Sequence, residues 1–86
     1  MSEKILGTIS ILVKDRHNQS AAVNDFLTKN GNLIRTRLGV NIEPKCTTSC
    51  MAIMSLIVEG TEKEIDGLVE KLNGLPEVKA FKTILI

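Results

Sequence analysis

Aromatic residues are nearly absent from this 86-residue chain, which has two Phe and no Trp or Tyr. A core built from it must be almost wholly aliphatic, and the aromatic platforms that bind single-stranded nucleic acids are missing. Positive charge is not in excess either, because 11 Lys and Arg residues are balanced by 10 Asp and Glu residues. Nucleic acid binding needs clustered positive charge to meet phosphates, so we expect no direct nucleic acid contact.

Long hydrophobic runs and catalytic motifs are also absent. No apolar run could cross a bilayer, and the start, MSEKILGTIS, lacks an apolar stretch with a cleavage site. We therefore predict no membrane span or signal peptide, and a cytoplasmic location in which thiols stay reduced. The chain has one histidine and no phosphate-binding glycine loop, nucleophile elbow or metalloprotease pair. We predict that the protein is not an enzyme.

What the chain does have is regular hydrophobic patterning over its whole length, which predicts one small domain over residues 1–86. Residues 4–14 alternate as strand one. A helix should begin between Asn18 and Ser20 and end at a left-handed stop, Asn30-Gly31. Residues 32–43 alternate strictly, with Ile34, Leu38 and Val40 on one face, and predict strand two. Pro44 should end its pairing, since proline cannot donate to a sheet.

The second half of the chain repeats the pattern of the first. Residues 50–60 predict strand three, which is apolar on both faces. Thr61 and Glu64 have the spacing of a capping box at the start of the second helix. Its buried stripe should be Ile65, Leu68, Val69 and Leu72, and Asn73-Gly74 should close it. Residues 78–86 predict strand four.

The predicted order β-α-β-β-α-β indicates an α+β, ferredoxin-like sandwich with two helices on one face of a four-stranded antiparallel sheet. Right-handed crossovers put strands one and three in the centre. Nothing in the chain covers the other sheet face, yet strands three and four carry apolar residues on both sides. We expect a homodimer or homotetramer that associates through this open face.

Five segments carry a family resemblance: ILVKDR, VNDFL, IRTRLGV, MAIMSLIVEG and LNGLPEVKAFK. They resemble the small ACT-like proteins described as iron-only hydrogenase system regulators. The resemblance implies a regulatory role in such a system, transcriptional or otherwise. The chain is more distantly similar to the C-terminal nickel-sensing domain of nickel-responsive repressors. Gly39 and Asn41 stand where those domains have two histidines. Because strand one is predicted at the start of this sequence, we expect no counterpart of their DNA-binding segment.

These resemblances imply candidate binding residues. ACT domains bind amino acids near the first strand-to-helix loop, here KDRHNQS, where Asp15, Arg16 and Asn18 are the ligand-binding candidates. The alternative is a solvated polar loop that caps the helix. Apart from the resemblances, the polar face of strand two presents Arg35 and Arg37, which are an anion-binding candidate or simply the charged side of an edge strand.

The segment KCTTSC contains the only two cysteines, Cys46 and Cys50, in the predicted hairpin between strands two and three. Their C-x3-C spacing is not that of a zinc knuckle, so a metal site would need thiols from several subunits or His17 from a neighbour. A disulfide is geometrically feasible if the turn centres on Thr48. The favoured interpretation is two small residues, reduced, at the ends of a β-turn.

From these features we predict a regulatory, oligomeric domain that senses a small-molecule effector or a partner, without a resident cofactor. One alternative is a metal- or thiol-redox-responsive sensor that uses Cys46, Cys50 and His17. A second alternative is a structural assembly module without a ligand.

Overall fold

The computed structural model describes residues 3–43, 45–48 and 50–86, so the predicted role of Pro44 lies outside the described residues. All neighbouring strands are antiparallel, in the order β2-β3-β1-β4, so β1 and β3 are central as predicted. The architecture is the predicted ferredoxin-like α+β sandwich. Its elements in chain order are β1 (Lys4–Val13), α1 (Arg16–Lys29), a 3-10 turn (Gly31–Leu33), β2 (Ile34–Asn41), β3 (Ala52–Thr61), α2 (Glu62–Asn73) and β4 (Val78–Ile84).

The core lies between the sheet and the two helices and is aliphatic. Alternation along the central strands buries one face of each under the helices, because successive strand side chains point to opposite sides. The predicted stripe of α2 is confirmed, although Val69 is only half-buried. The core residues of the two central strands and α2 are Ile9, Ile11, Val13, Ala52, Leu56, Val58, Ile65, Leu68 and Leu72.

Helix α1 begins earlier than predicted, and it ends at the predicted position but without a left-handed residue. It begins at Arg16 with Asp15 as N-cap residue, so the predicted start between Asn18 and Ser20 is wrong. The backbone N–H of Arg16 donates to the carbonyl oxygen of Cys50 at 2.7 Å, a tertiary contact that extends the helix toward the β2–β3 connection. The predicted left-handed stop is also wrong, because the chain continues from α1 directly into the 3-10 turn and no described glycine has a positive φ.

The predicted face of β2 is interrupted by a bulge. The pairing of β2 with β3 shifts register between Ile34 and Thr36, so Ile34 packs against the core while Leu38 and Val40 lie on the open side. The prediction that all three share a face is therefore wrong, because an extra residue in one strand reverses the alternation.

Candidate functional site

Among the described residues, Arg16 is the one buried charged side chain, with 8% of its surface exposed. Its Nη1 donates to the carbonyl oxygens of Ile42 at 2.8 Å and Met51 at 2.7 Å. Its Nη2 donates to the carbonyl oxygen of Glu43 at 3.3 Å. The guanidinium therefore joins the first turn of α1 to both sides of the β2–β3 connection, and these donors are already used within the chain.

The other two ligand-binding candidates lie in the same turn as Arg16. Asn18 Nδ2 donates to Asp15 Oδ2 at 2.8 Å, while Asp15 Oδ1 is buried and accepts no hydrogen bond from the described residues. The structure thus brings Asp15, Arg16 and Asn18 together but gives Arg16 a bracing position. Ligand binding by these three residues stays a prediction.

Cys46 and Cys50 are joined by a disulfide with their Cα atoms 5.9 Å apart, which corrects the expectation of reduced thiols. The short connection brings the two Cα atoms within the range of about 4.4–6.8 Å that a disulfide requires. Cys46 is half-buried and Cys50 is 2% exposed. Both sulfur atoms lie close to the carbonyl oxygen of Thr48, at 3.3 and 3.2 Å, where the reduced thiols would find an acceptor.

His17, the third proposed metal ligand, is exposed on the first turn of α1. Within the described part of the chain, no three His, Cys, Asp or Glu side chains are arranged to hold a metal ion. A cysteine binds a metal as a thiolate and not as a disulfide sulfur. Metal binding by Cys46, Cys50 and His17 would therefore need reduction and a second subunit, and it stays a prediction.

The open sheet face carries the large exposed apolar side chains of all four strands. Directly opposed residues point to the same side, so the strand registers align this face in rows. Leu38 and Phe81 are 63% and 68% exposed, and Ile53 and Ile57 are nearly half exposed. The rows are Val40–Ile53–Leu12–Lys79, Leu38–Ser55–Ser10–Phe81 and Thr36–Ile57–Thr8–Thr83. Across these three rows, Lys79 is the only charged residue.

Arg35 and Arg37 lie on the edge strand β2 beside a surface groove of about 360 Å³. Arg35 pairs with Glu59, and Arg37 donates to Asn24 on α1. Both guanidinium groups already have partners, which favours the structural alternative for the pair. Neither arginine offers an unpartnered charge to an anion, so the structure does not support their predicted anion binding.

The capping box of α2 is confirmed. The backbone N–H of Thr61 donates to Glu64 Oε1 at 2.9 Å, and the N–H of Glu64 donates to Thr61 Oγ1 at 3.2 Å. The backbone N–H of Thr61, followed by its hydroxyl, holds the pKa of the exposed Glu64 carboxyl below its ordinary value.

Asn73 has a role that the sequence pattern did not indicate. Its Nδ2 donates to the carbonyl oxygen of Ala80 at 3.0 Å, and its Oδ1 accepts from the N–H of Ala80 at 2.8 Å. The side-chain amide thus pairs with the outer edge of β4 as a neighbouring strand would. The Asn-Gly dipeptide suggested only a helix end, since the partner lies seven residues further along the chain.

Neither helix in residues 3–43, 45–48 and 50–86 is long and apolar enough to span a membrane. A comparison with curated protein sequences found no significant match.

Several solved structures have the same fold. The uncharacterized protein TM1266 from Thermotoga maritima is 26% identical, with a TM-score of 0.86 over 98% of this chain and 100% of that one. The ACT domain of a GTP pyrophosphokinase from Chlorobium tepidum is 16% identical, with a TM-score of 0.71 over 96% and 90%. Apo CPII from Thiomonas intermedia K12, a nitrogen regulatory PII-like protein, is 18% identical, with a TM-score of 0.56 over 99% and 92%.

The family assignment comes from the sequence. Residues 5–83, nearly the whole chain, match the TM1266-like family, whose description is "Iron-only hydrogenase system regulator, putative". The resemblance inferred from the five sequence segments is therefore confirmed. This chain belongs to the TM1266-like family of iron-only hydrogenase system regulators.

Proposed function

We propose that this chain is a non-catalytic regulatory domain of an iron-only hydrogenase system, which assembles through its open sheet face and responds to a small effector or a protein partner. The family description and the regulatory ACT and PII-like relatives support regulation as the general role. The observation that carries the proposal is the open sheet face, because a large exposed apolar surface marks a site of association.

A second copy of the chain is the partner that we propose for this face. The three rows present aliphatic, Ser and Thr side chains with Lys79 at one corner, so the face offers little charge for a charged partner to match. A two-fold axis would place like apolar rows against each other, as isologous interfaces do. An 86-residue domain also gains more by burying such a face than a large one, since its own core is small.

Ile57→Lys tests this assembly, because Ile57 lies on the central strand β3 and is 47% exposed on the open face. In a dimer, the new lysine would bury an unpaired positive charge in an apolar interface, which is strongly unfavourable. The variant should therefore sediment as a monomer. Ala22→Lys is the matched control, since Ala22 is exposed on α1 on the opposite side of the molecule. A wild-type protein that is monomeric in sedimentation equilibrium, or an Ile57→Lys variant that still associates, would count against the proposal.

The disulfide favours a second candidate function, a thiol-redox response at Cys46 and Cys50. A dithiol reductant such as dithiothreitol would supply two electrons and two protons, yield two cysteine thiols and become a cyclic disulfide itself. Cys46 is the more accessible sulfur and the expected point of attack. The Thr48 carbonyl could then accept from the new thiols.

This candidate predicts that reduction changes the oligomer or allows metal binding, and that Cys46→Ser with Cys50→Ser abolishes the change. Native mass spectrometry before and after reduction measures subunit number and bound metal together. An unchanged oligomer without metal in both states would reject the redox and metal functions. A stable oligomer that also ignores every effector would favour the structural assembly module.

A further inference from the structure

An interhelical groove lies on the helix side of the sheet, between the end of α1, the 3-10 turn and α2. Its volume is about 240 Å³. Its floor is apolar, formed by Phe26, Leu33 and Leu68, of which both leucines are buried. Lys63 and Lys71 lie exposed along its α2 wall. The groove thus combines an apolar floor with a basic rim.

Gly67 lies in this wall, in the middle of α2, where neither its backbone conformation nor a neighbouring atom requires a glycine. A glycine in a helix interior makes the helix less stable than an alanine would, by about 1 kcal/mol. Its φ is not positive, and a Cβ at Gly67 would meet no atom within 4 Å. Gly60 shows the contrast, because a Cβ there would lie 2.9 Å from Leu33 Cδ2. Packing therefore requires Gly60, whereas the missing side chain of Gly67 only keeps the groove open.

Lys63 and Lys71 lie one helical turn to either side of Gly67, on the same face of α2. Their Cα atoms are therefore roughly 12 Å apart along the helix axis. Neither lysine forms an ion pair with any described residue. The acid that also lines the groove, Glu64, is engaged by Thr61 in the capping box. The groove therefore has two cations for one carboxylate, and its net charge favours an anion.

We infer that the interhelical groove binds a small organic anion, with a flat apolar body over Gly67 and a carboxylate or phosphate group at Lys63 or Lys71. The volume lies below the ~300–1,000 Å³ of pockets for drug-sized ligands, which limits the ligand to a small metabolite. Asn30 and Asn32 add amide groups at the other wall. This inference rests on the effector-sensing part of the function proposed above and names a site for it away from Asp15, Arg16 and Asn18.

Titration of the full chain with phenyl phosphate, followed by its backbone amide nitrogen–proton spectrum, tests the site. Benzoate replaces the phosphate by a carboxylate, while inorganic phosphate lacks the ring and benzyl alcohol lacks the charge. We expect phenyl phosphate or benzoate to shift the amides of Leu33, Gly67 and Leu68 at millimolar concentrations, and to bind more tightly than either control. The stronger of the two identifies the anionic group.

Two sets of variants test separately the contribution of the lysine charges and the contribution of the open space over Gly67. Lys63→Gln with Lys71→Gln should weaken binding by about fivefold, because the anion pairs with one of the two lysines and one exposed ion pair contributes up to about 1 kcal/mol. Lys14→Gln with Lys45→Gln removes the same charge at exposed positions outside both the groove and the open sheet face. It should bind as the wild type does, and so about fivefold more tightly than that pair. Gly67→Leu should abolish binding while Gly67→Ala weakens it less, although both residues favour a helix.

The inference is overturned if no groove amide shifts with either organic anion, or if Gly67→Leu binds as the wild type does. These failures are distinct from failure of the proposed assembly. A wild-type oligomer without groove binding would reject the effector site and leave association through the open face standing. A monomer that still binds the anion would reject the assembly and leave the site standing.

Discussion

Replacing Arg16 with methionine removes the guanidinium that joins α1 to the β2–β3 connection. The methionine can still fill the space of the aliphatic stem, so the loss is chiefly that of three hydrogen bonds to main-chain carbonyls. Two of them are short, the third is 3.3 Å, and the side chain is 8% exposed. Removing buried, charge-assisted bonds of this kind should lower the free energy of unfolding by about 2–4 kcal/mol. That is a large share of the ~4–13 kcal/mol expected for 86 residues.

Urea unfolding monitored by far-ultraviolet circular dichroism measures this loss. Arg37→Met is the matched control, because Arg37 is exposed and has one hydrogen bond, to Asn24. It should change the free energy of unfolding by less than about 1 kcal/mol. The bracing role of Arg16 would be refuted if Arg16→Met and Arg37→Met were equally stable.

Four further variants test other parts of the fold. In urea titrations, Gly67→Ala should raise the free energy of unfolding by about 0.5–1 kcal/mol. Gly7→Ala should lower it, because a Cβ at position 7 would lie 2.5 Å from a carbonyl oxygen of β4. Asn73→Ala should lower it by about 1–2 kcal/mol, with faster amide exchange at Ala80, because both edge hydrogen bonds are lost. The folded-state pKa of Glu64 is depressed, so its stabilisation is present above its unfolded pKa and is lost as pH falls through the lower folded value. Thermal unfolding of Glu64→Gln should therefore depend less on pH in the acid range than that of the wild type.

The regular parts of the fold were predictable because local rules decide them. The two-residue alternation of β1 and β3 and the apolar stripe of α2 need no knowledge of their neighbours. The capping box at Thr61 and Glu64 is equally local, since both partners lie within four residues. The failures came at positions with distant partners. Arg16 starts α1 early because of contacts with Ile42, Cys50 and Met51, and the bulge after Ile34 depends on pairing with β3.

The candidate sites divide in the same way. The open apolar face followed from strands that are apolar on both sides, and the structure places those side chains in aligned rows. The groove at Gly67 could not be predicted from the sequence, because a glycine in a helical pattern does not show which element packs beside it. The polar loop at Asp15, Arg16 and Asn18 was recognised as a loop, but its composition could not reveal that the guanidinium turns inward to three carbonyls.

The sequence by itself determined the order of elements, the aliphatic core and the presence of a second apolar sheet face, since these depend on periodicity and composition. Only the tertiary structure decided which polar side chains brace the fold and which remain available. These hydrogen bonds join groups in different secondary-structure elements, such as Arg16 with Met51 and Asn73 with Ala80, so the pattern within one element does not predict them. The space over Gly67 likewise exists only because α2 packs beside the end of α1.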